Sequence, residues 1–228
     1  MMKILSCAQQ KEADAYTIAN EEISSIDLME KAASQITDEV SKRWDTSHRI
    51  VVFAGAGNNG GDAVAVARML HQRNYDIELF LFNIKNALSE ECVTNIQRLQ
   101  SVGFPQDKYH EVTKNFNPPQ LSADDVVIDG LFGVGLREPL SGGFASVVNY
   151  INASPCTVVS IDLPSGLMGE DNSRNQRANI IRADLTLSIQ LPKLSFFFPE
   201  NEDIVGEWKV LDIGISSAFI NSEKADTP

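Results

Sequence analysis

Between Val51 and Asp62 the chain runs Val-Val-Phe-Ala-Gly-Ala-Gly-Asn-Asn-Gly-Gly-Asp, an apolar stretch that breaks into four glycines, two asparagines and a carboxylate. Glycines let a ligand approach the backbone closely and tolerate positive φ. A helix entered just beyond such a loop turns its free N–H groups toward whatever sits there, which favours an anion such as phosphate. Asn58, Asn59 and Asp62 set amide and carboxylate groups beside those donors. The plain alternative is a turn, with Asp62 as helix N-cap, but a turn needs far fewer special residues.

Two more carboxylates close apolar runs. Asp129 follows Val126-Val127-Ile128 and precedes Gly130, and Asp162 follows Thr157–Ile161 and precedes Leu163-Pro164-Ser165-Gly166. Oxygens from Asn59, Asp129 and Ser165 could hold a monovalent cation, since hard cations prefer oxygen ligands. Gly133-Val134-Gly135-Leu136-Arg137 could cradle a phosphate, with Arg137 adding its fork of donors. Lys193, in Leu191-Pro192-Lys193, follows another apolar run; it reads equally as a solvated lysine and as a pocket-edge group. His48, His71 and His110 fall outside these loops and read as surface or structural residues. Cys7, Cys92 and Cys156 have no zinc or redox spacing, and Cys156 reads as a small core residue.

The elements that must carry these loops alternate. Helical patterns are expected over Ala8–Asn20 and from Ile26 to Trp44, the second with Ser24-Ser25 as candidate caps and Met29, Ala32, Ala33, Ile36 and Val40 on one face. Strands are expected at Ile50–Phe53, Asp76–Phe82, Asp125–Ile128, Thr157–Ile161, Leu185–Ile189 and Trp208–Leu211. Between them lie helices at Asp62–Gln72, Ser89–Val102 and Gly142–Ile151. Short β-branched runs separated by helices imply a mostly parallel sheet with helices on both faces, a three-layer Rossmann-like α/β sandwich. In such a sheet the asparagine, Asp129 and Asp162 loops emerge on one edge and can form one pocket. Lys114–Asp125 and Met168–Asn179 read as surface loops, and Phe196–Phe198 as core or interface surface. Residues 1–220 read as one domain and 221–228 as a tail or linker.

With 228 residues, 43% hydrophobic and 22% charged, the composition is that of an ordinary soluble domain. A net charge of −12 argues against a nucleic-acid backbone as partner, which needs a clustered basic face. It leaves room for a small phosphorylated ligand held by local dipoles. Neither a signal-peptide core nor a bilayer-length apolar run is read, and the expected setting is the cytoplasm.

The ordered motifs Gly-Ala-Gly-Asn-Asn-Gly-Gly-Asp, Asp-Gly-Leu-Phe-Gly-Val-Gly-Leu-Arg, Asp-Leu-Pro-Ser-Gly-Leu, Pro-Lys and Leu211-Asp212-Ile213-Gly214-Ile215 resemble the YjeF N-terminal domain family, the NAD(P)H-hydrate epimerases. The resemblance runs from Leu28-Met29-Glu30 to Gly214. It departs at Ala63, where the family usually has glycine, at Met168-Gly169-Glu170-Asp171, and after Lys193. It implies a repair enzyme that interconverts the R and S epimers of NADHX and NADPHX, so that an S-specific dehydratase using ADP or ATP, separate or fused, can restore both. Carried over by motif, it implies substrate contacts from Asn58, Asn59, Gly60, Gly61 and Asp62, from Gly133, Val134, Gly135, Leu136, Arg137, Glu138 and Pro139, and from Asp162. It further implies one potassium ion on Asn59, Asp129 and Ser165, and a homodimer. Asp162 is then the first candidate acid/base, with Lys193 in support. The chain could be the epimerase half of a longer protein. Two other readings are weaker. A non-catalytic scaffold of the same fold would show eroded pocket loops. A dinucleotide-dependent oxidoreductase would carry an acidic residue after the second strand, where Phe82-Asn83-Ile84-Lys85 has none.

Overall fold

The computed structural model describes residues 3–225. Seven strands form one parallel sheet: β1 (Arg49–Ala54), β2 (Asp76–Phe82), β3 (Tyr109–Val112), β4 (Val126–Gly130), β5 (Thr157–Ile161), β6 (Leu185–Ile189) and β7 (Glu207–Leu211), in spatial order β3-β2-β1-β4-β5-β6-β7. Strand order reverses between β1 and β4, and such a switch point opens a crevice at the strands' carboxyl ends.

The register explains the near-continuous apolar strands. Ile50, Val52 and Ala54 of β1 face one layer; Val51 and Phe53 face the other, where Phe53 stacks on Phe80 with ring centroids 5.6 Å apart. The first layer holds α2 (Ser25–Arg43), α3 (Asn58–Gln72) and α4 (Glu90–Ser101), and the second holds α5 (Gly142–Asn152). Each fully buried Val, Leu, Ile or Phe contributes roughly 1.5–3 kcal/mol, so these two interfaces dominate the fold. Ser24 caps α2 by accepting from the Asp27 N–H at 3.2 Å, and Ser89 caps α4 in the same way on Cys92. A first helix, α1 (Cys7–Asn20), opens with a reciprocal Ser6–Gln9 capping box. It sits over the carboxyl edge of the sheet with the short α7 (Ser217–Ile220), and Thr17 Oγ1 accepts from the Ser216 N–H at 2.9 Å.

Several expectations need correction. β3 is a strand for which the pattern gave no expectation: Tyr-His-Glu-Val is half polar because it is an edge strand, where His110 stacks on Phe80 and meets Glu78 Oε1 at 3.0 Å. Asp125 lies outside its strand and pairs with Arg49 at 2.8 Å. α3 begins at Asn58 behind an N-cap at Gly57, so Asp62 is a buried residue inside the helix and not its cap. Within the expected surface loop at Met168–Asn179, Asn172 and Asn175 bond back to the backbone of Met168 and Gly166. Of the expected tail, Ala225 is fully buried and Lys224 O accepts from Gln9 Nε2, which ties this end to α1. Residues 226–228 lie outside the described residues.

Candidate active site

The carboxyl ends of β1, β4, β5 and β6 open into one cleft of about 690 Å³. Its sheet-side wall is the glycine loop. Gly55 donates its N–H to Gly130 O at 3.0 Å, and a Cβ on Gly55 would run into the Leu131 carbonyl. A Cβ on Gly60 would strike the Gly55 carbonyl, and one on Gly130 would strike the Ala63 methyl. Strand ends and helix start therefore meet backbone to backbone, so Asn58, Asn59 and Asp62 reach the cleft from the first turns of α3. A second wall is apolar and aromatic: Phe82, Phe132 and Phe144 line it, the last two edge to face at 4.8 Å. Such a wall suits a flat heterocycle. Gly133, Val134, Gly135 and Leu136 continue it.

Asp162 follows β5 and is 6% exposed, with φ +67. A non-glycine residue in that region is costly and is held only by its surroundings. Here the Asp162 N–H donates to Leu187 O at 2.8 Å, and Asp162 Oδ1 accepts from the Ile189 N–H at 3.2 Å and meets Lys193 Nζ at 2.5 Å. Both side-chain contacts fall on Oδ1, and the carboxylate lines the cleft. Lys193 is only 1% exposed, which excludes the solvated-lysine reading. Its ammonium also donates to Ser188 Oγ and to the Ile189 and Leu191 carbonyls at 3.1–3.2 Å. Because a buried charge needs this full set of partners, Lys193 stands behind Asp162 rather than in the cleft.

Asp129 is wholly buried, and the groups that hold it are neutral. It accepts from Ser160 Oγ and the Ser165 N–H at 2.8 Å, from Ser165 Oγ at 2.5 Å and from the Leu131 N–H at 3.3 Å. Burial raises its pKa above the usual carboxylate range, and these hydrogen bonds pull against that rise. Ser165 Oγ lies 3.2 Å from Phe132 O. Asn59 stands beside Gly133 with its Nδ2 buried and unpaired, an amide whose orientation a bound cation would set. A buried carboxylate without a cationic side chain, ringed by hydroxyl, carbonyl and amide groups, fits a monovalent cation. Among the described residues no group of three or more His, Cys, Asp or Glu side chains is placed to hold a transition metal.

Other expected residues lie apart from the cleft. Gly60 and Gly61 are buried behind its wall. Arg137 and Glu138 are exposed beyond it, with Glu138 3.9 Å from Arg174, and Pro139 lies past them. Conversely, α1 supplies a wall the motifs do not mention: Gln10, Lys11 and Asp14 line the cleft from one helix face. Asp14 keeps more than a third of its surface exposed, yet its partial enclosure in the cleft and the Asp162 charge push it up to about 6, with Lys193 pulling the other way. Asp62, 8% exposed, is held well above the carboxylate range by burial first and then by Asp162, Asp14 and Glu91.

Fold and site together define a doubly wound α/β protein that takes a small organic ligand at the switch point of its sheet. The family model of the YjeF-related protein N-terminus matches residues 25–195, from the start of α2 to just past Lys193, and the chain belongs to that family. It is 30% identical over 212 residues to the NAD(P)H-hydrate epimerase of Oenococcus oeni, covering 92% of this chain and 96% of that one. To the Limosilactobacillus fermentum protein of the same name it is 29% identical, over 91% and 95% of the two chains. A bifunctional NAD(P)H-hydrate repair enzyme from Archaeoglobus fulgidus is 33% identical, but the match spans 85% of this chain and 38% of that protein. The crystal structure of a yeast protein, ynu0, superposes with a TM-score of 0.77 over 96% of this chain at 21% identity, a likeness of fold.

Proposed function

We propose that this protein is an NAD(P)H-hydrate epimerase, interconverting the R and S forms of hydrated NADH and NADPH. The observation that carries the reading is the Asp162–Lys193 pair, fixed at the end of β5 in a cleft whose remaining walls are glycine loop and aromatic rings. A scaffold without catalysis has no use for a buried ion pair aimed into a cleft, since a buried pair contributes little net stability.

In the hydrate, C6 carries a hydroxyl beside the ring nitrogen. Taking a proton from C6 would leave an unstabilised carbanion, whereas loss of the hydroxyl leaves a cation that the nitrogen lone pair stabilises. Water therefore departs from one face and returns to the other. Asp162 moves the proton at that oxygen, and Lys193 positions its carboxyl through the contact on Oδ1. General acid–base assistance of this kind supplies about 10²–10⁴-fold. The phenylalanine wall excludes bulk water, and the asparagine loop and Gly133–Leu136 hold the rest of the ligand. Potassium, held by Asn59, Asp129 and Ser165, would supply a fixed positive charge that orients these loops and ligand oxygens.

The same proposal places the protein in the cytoplasm as a homodimer, supplying the S form to an ADP- or ATP-dependent dehydratase. Three free cysteines suit a reducing compartment. To test the reading, the protein is added to an R/S hydrate mixture with an S-specific dehydratase. Faster consumption of the R form is expected, with Asp162→Asn losing nearly all of it while remaining folded by circular dichroism, at a lower melting temperature because Lys193 loses its buried partner. Unchanged R consumption with the wild-type protein rejects the function.

A further inference from the structure

The cleft carries one carboxylate that neither the loop motifs nor the Asp162–Lys193 pair accounts for. Asp14 lines it from α1, on the same helix face as Gln10 and Lys11, while Asp162 lines it from the sheet edge. α1 is held in place by Leu5, Ala13 and Thr17, all buried, and by the Cys7 N–H donating to Glu170 Oε1 at 2.5 Å. Asp14 is thus mounted on a docked helix. We propose that Asp14 is the second proton-transfer group of the site, acting from the α1 wall while Asp162 acts from the sheet edge. The inference rests on the epimerase reading and deepens it.

The chemistry calls for such a pair. When a hydroxyl leaves one face of a ring and water returns to the other, a proton must be given on the first face and taken on the second. Asp162, held by Lys193 Nζ at 2.5 Å, is an acceptor in the resting site. Asp14 then gives its proton to the C6 hydroxyl. The C–O bond breaks with its electron pair going to oxygen, water leaves, and the ring nitrogen lone pair forms the C=N bond. Water adds to the opposite face, its oxygen pair forming the new C–O bond. The C=N pair returns to nitrogen, and the surplus proton passes to Asp162. The reverse direction exchanges the two roles, so the pair shares one proton throughout.

The groups around Asp14 fit that role. Asp162 and Asp62 face it from the sheet side, Lys193 lies behind Asp162, Lys11 shares its helix and Lys85 lies on the loop after β2. Asp62 is nine-tenths buried and lines the cleft, and its carboxyl makes no hydrogen bond to the described residues. Burial, then the Asp162 and Asp14 charges, hold its carboxyl well above the usual carboxylate range, which favours the uncharged form. Asp14, pushed up to about 6, carries its proton on the acid side of neutrality.

The test measures R-to-S conversion in the dehydratase-coupled assay for wild type, Asp14→Asn and Asp14→Glu from pH 5 to 8.5. Asp14→Asn is expected to lose roughly 10²–10³-fold in kcat with KM within about threefold, while Asp14→Glu recovers part of the loss. The wild-type rate should fall as pH rises above about 6, and the residual rate of Asp14→Asn should lack that limb. By carbon-13 NMR, the Asp14 carboxyl should titrate near 6 and move down in Asp162→Asn, a readout independent of turnover. A wild type that leaves the R form untouched removes the epimerase reading and this role with it. An active wild type beside an equally active Asp14→Asn, or an Asp14 titration unmoved by Asp162→Asn, overturns this role alone.

Discussion

Asp162 and Gln190 occupy the same unusual backbone position, each one residue past a strand, with φ +67 and +62. Each donates its N–H to the neighbouring strand, Asp162 to Leu187 O and Gln190 to Leu211 O, and each is followed by a residue that bonds back two positions. The sheet thereby holds two strained residues that both line the cleft, Asp162 for chemistry and Gln190 as an anchor whose Oε1 accepts from the Ile213 and Ile215 N–H groups. Asp14 shows the thermodynamic cost of a working site. Its pKa is raised in the folded state, so folding is unpenalised below the unfolded value near 3.8 and is penalised progressively as pH rises through about 6. Asp14→Asn should therefore leave the melting temperature unchanged near pH 4 and raise it at pH 8. After allowance for water in the cleft, the gain is roughly 1–2 kcal/mol. Melts at the two pH values check this, and an equal shift at both counts against it.

At the scale of elements, the turn from β1 into α3 tolerates no extra atoms at one glycine and freely tolerates them at another. A methyl on Gly60 meets the Gly55 carbonyl, which cannot give way because Gly55 is bonded to Gly130; Gly57, at the N-cap, has nothing within 4 Å of its Cβ position. Gly60→Ala should destabilise by about 2–3 kcal/mol despite the better helix propensity of alanine, and Gly57→Ala by less than about 1 kcal/mol. Urea unfolding at constant m separates the two, and equal costs would contradict the packing described. This turn was legible because glycine, asparagine and aspartate at these spacings have few uses. The strands of the sheet interior were legible because burial on both faces leaves apolar runs. β3 escaped notice because an edge strand mixes polar and apolar residues without a clean period. Asp14 escaped notice for a related reason: α1 buries Ala13 and Thr17 but turns Gln10, Lys11 and Asp14 to a ligand cleft. A polar helix face reads the same whether it meets bulk water or a bound molecule. Lys193 was ambiguous because only the folded chain brings Asp162, Ser188 and the two carbonyls to its ammonium.

For the whole molecule, the switch between β1 and β4 sets Asp129 at the centre of the carboxyl edge, where β1, β4 and β5 lie side by side. Its carboxylate ties β5 through Ser160, the loop after β5 through Ser165 and its own loop through Leu131. A chain with net charge −12 thus buries a carboxylate at its centre among neutral partners. A monovalent cation there would offset the desolvation that raises the Asp129 pKa and would bind the folded state alone. Stability should then rise with potassium by mass action, about 1.4 kcal/mol when the ion is at ten times its Kd. For a domain of this size that is a rise in Tm of about 3–5 °C. Potassium chloride is compared with tetramethylammonium chloride at equal ionic strength, so that screening of the acidic surface cancels. The increment should appear in wild type and vanish in Asp129→Asn, whatever that variant's own melting temperature. An equal rise in both salts would assign the effect to screening, and an increment that survives in Asp129→Asn would place the cation elsewhere on the molecule.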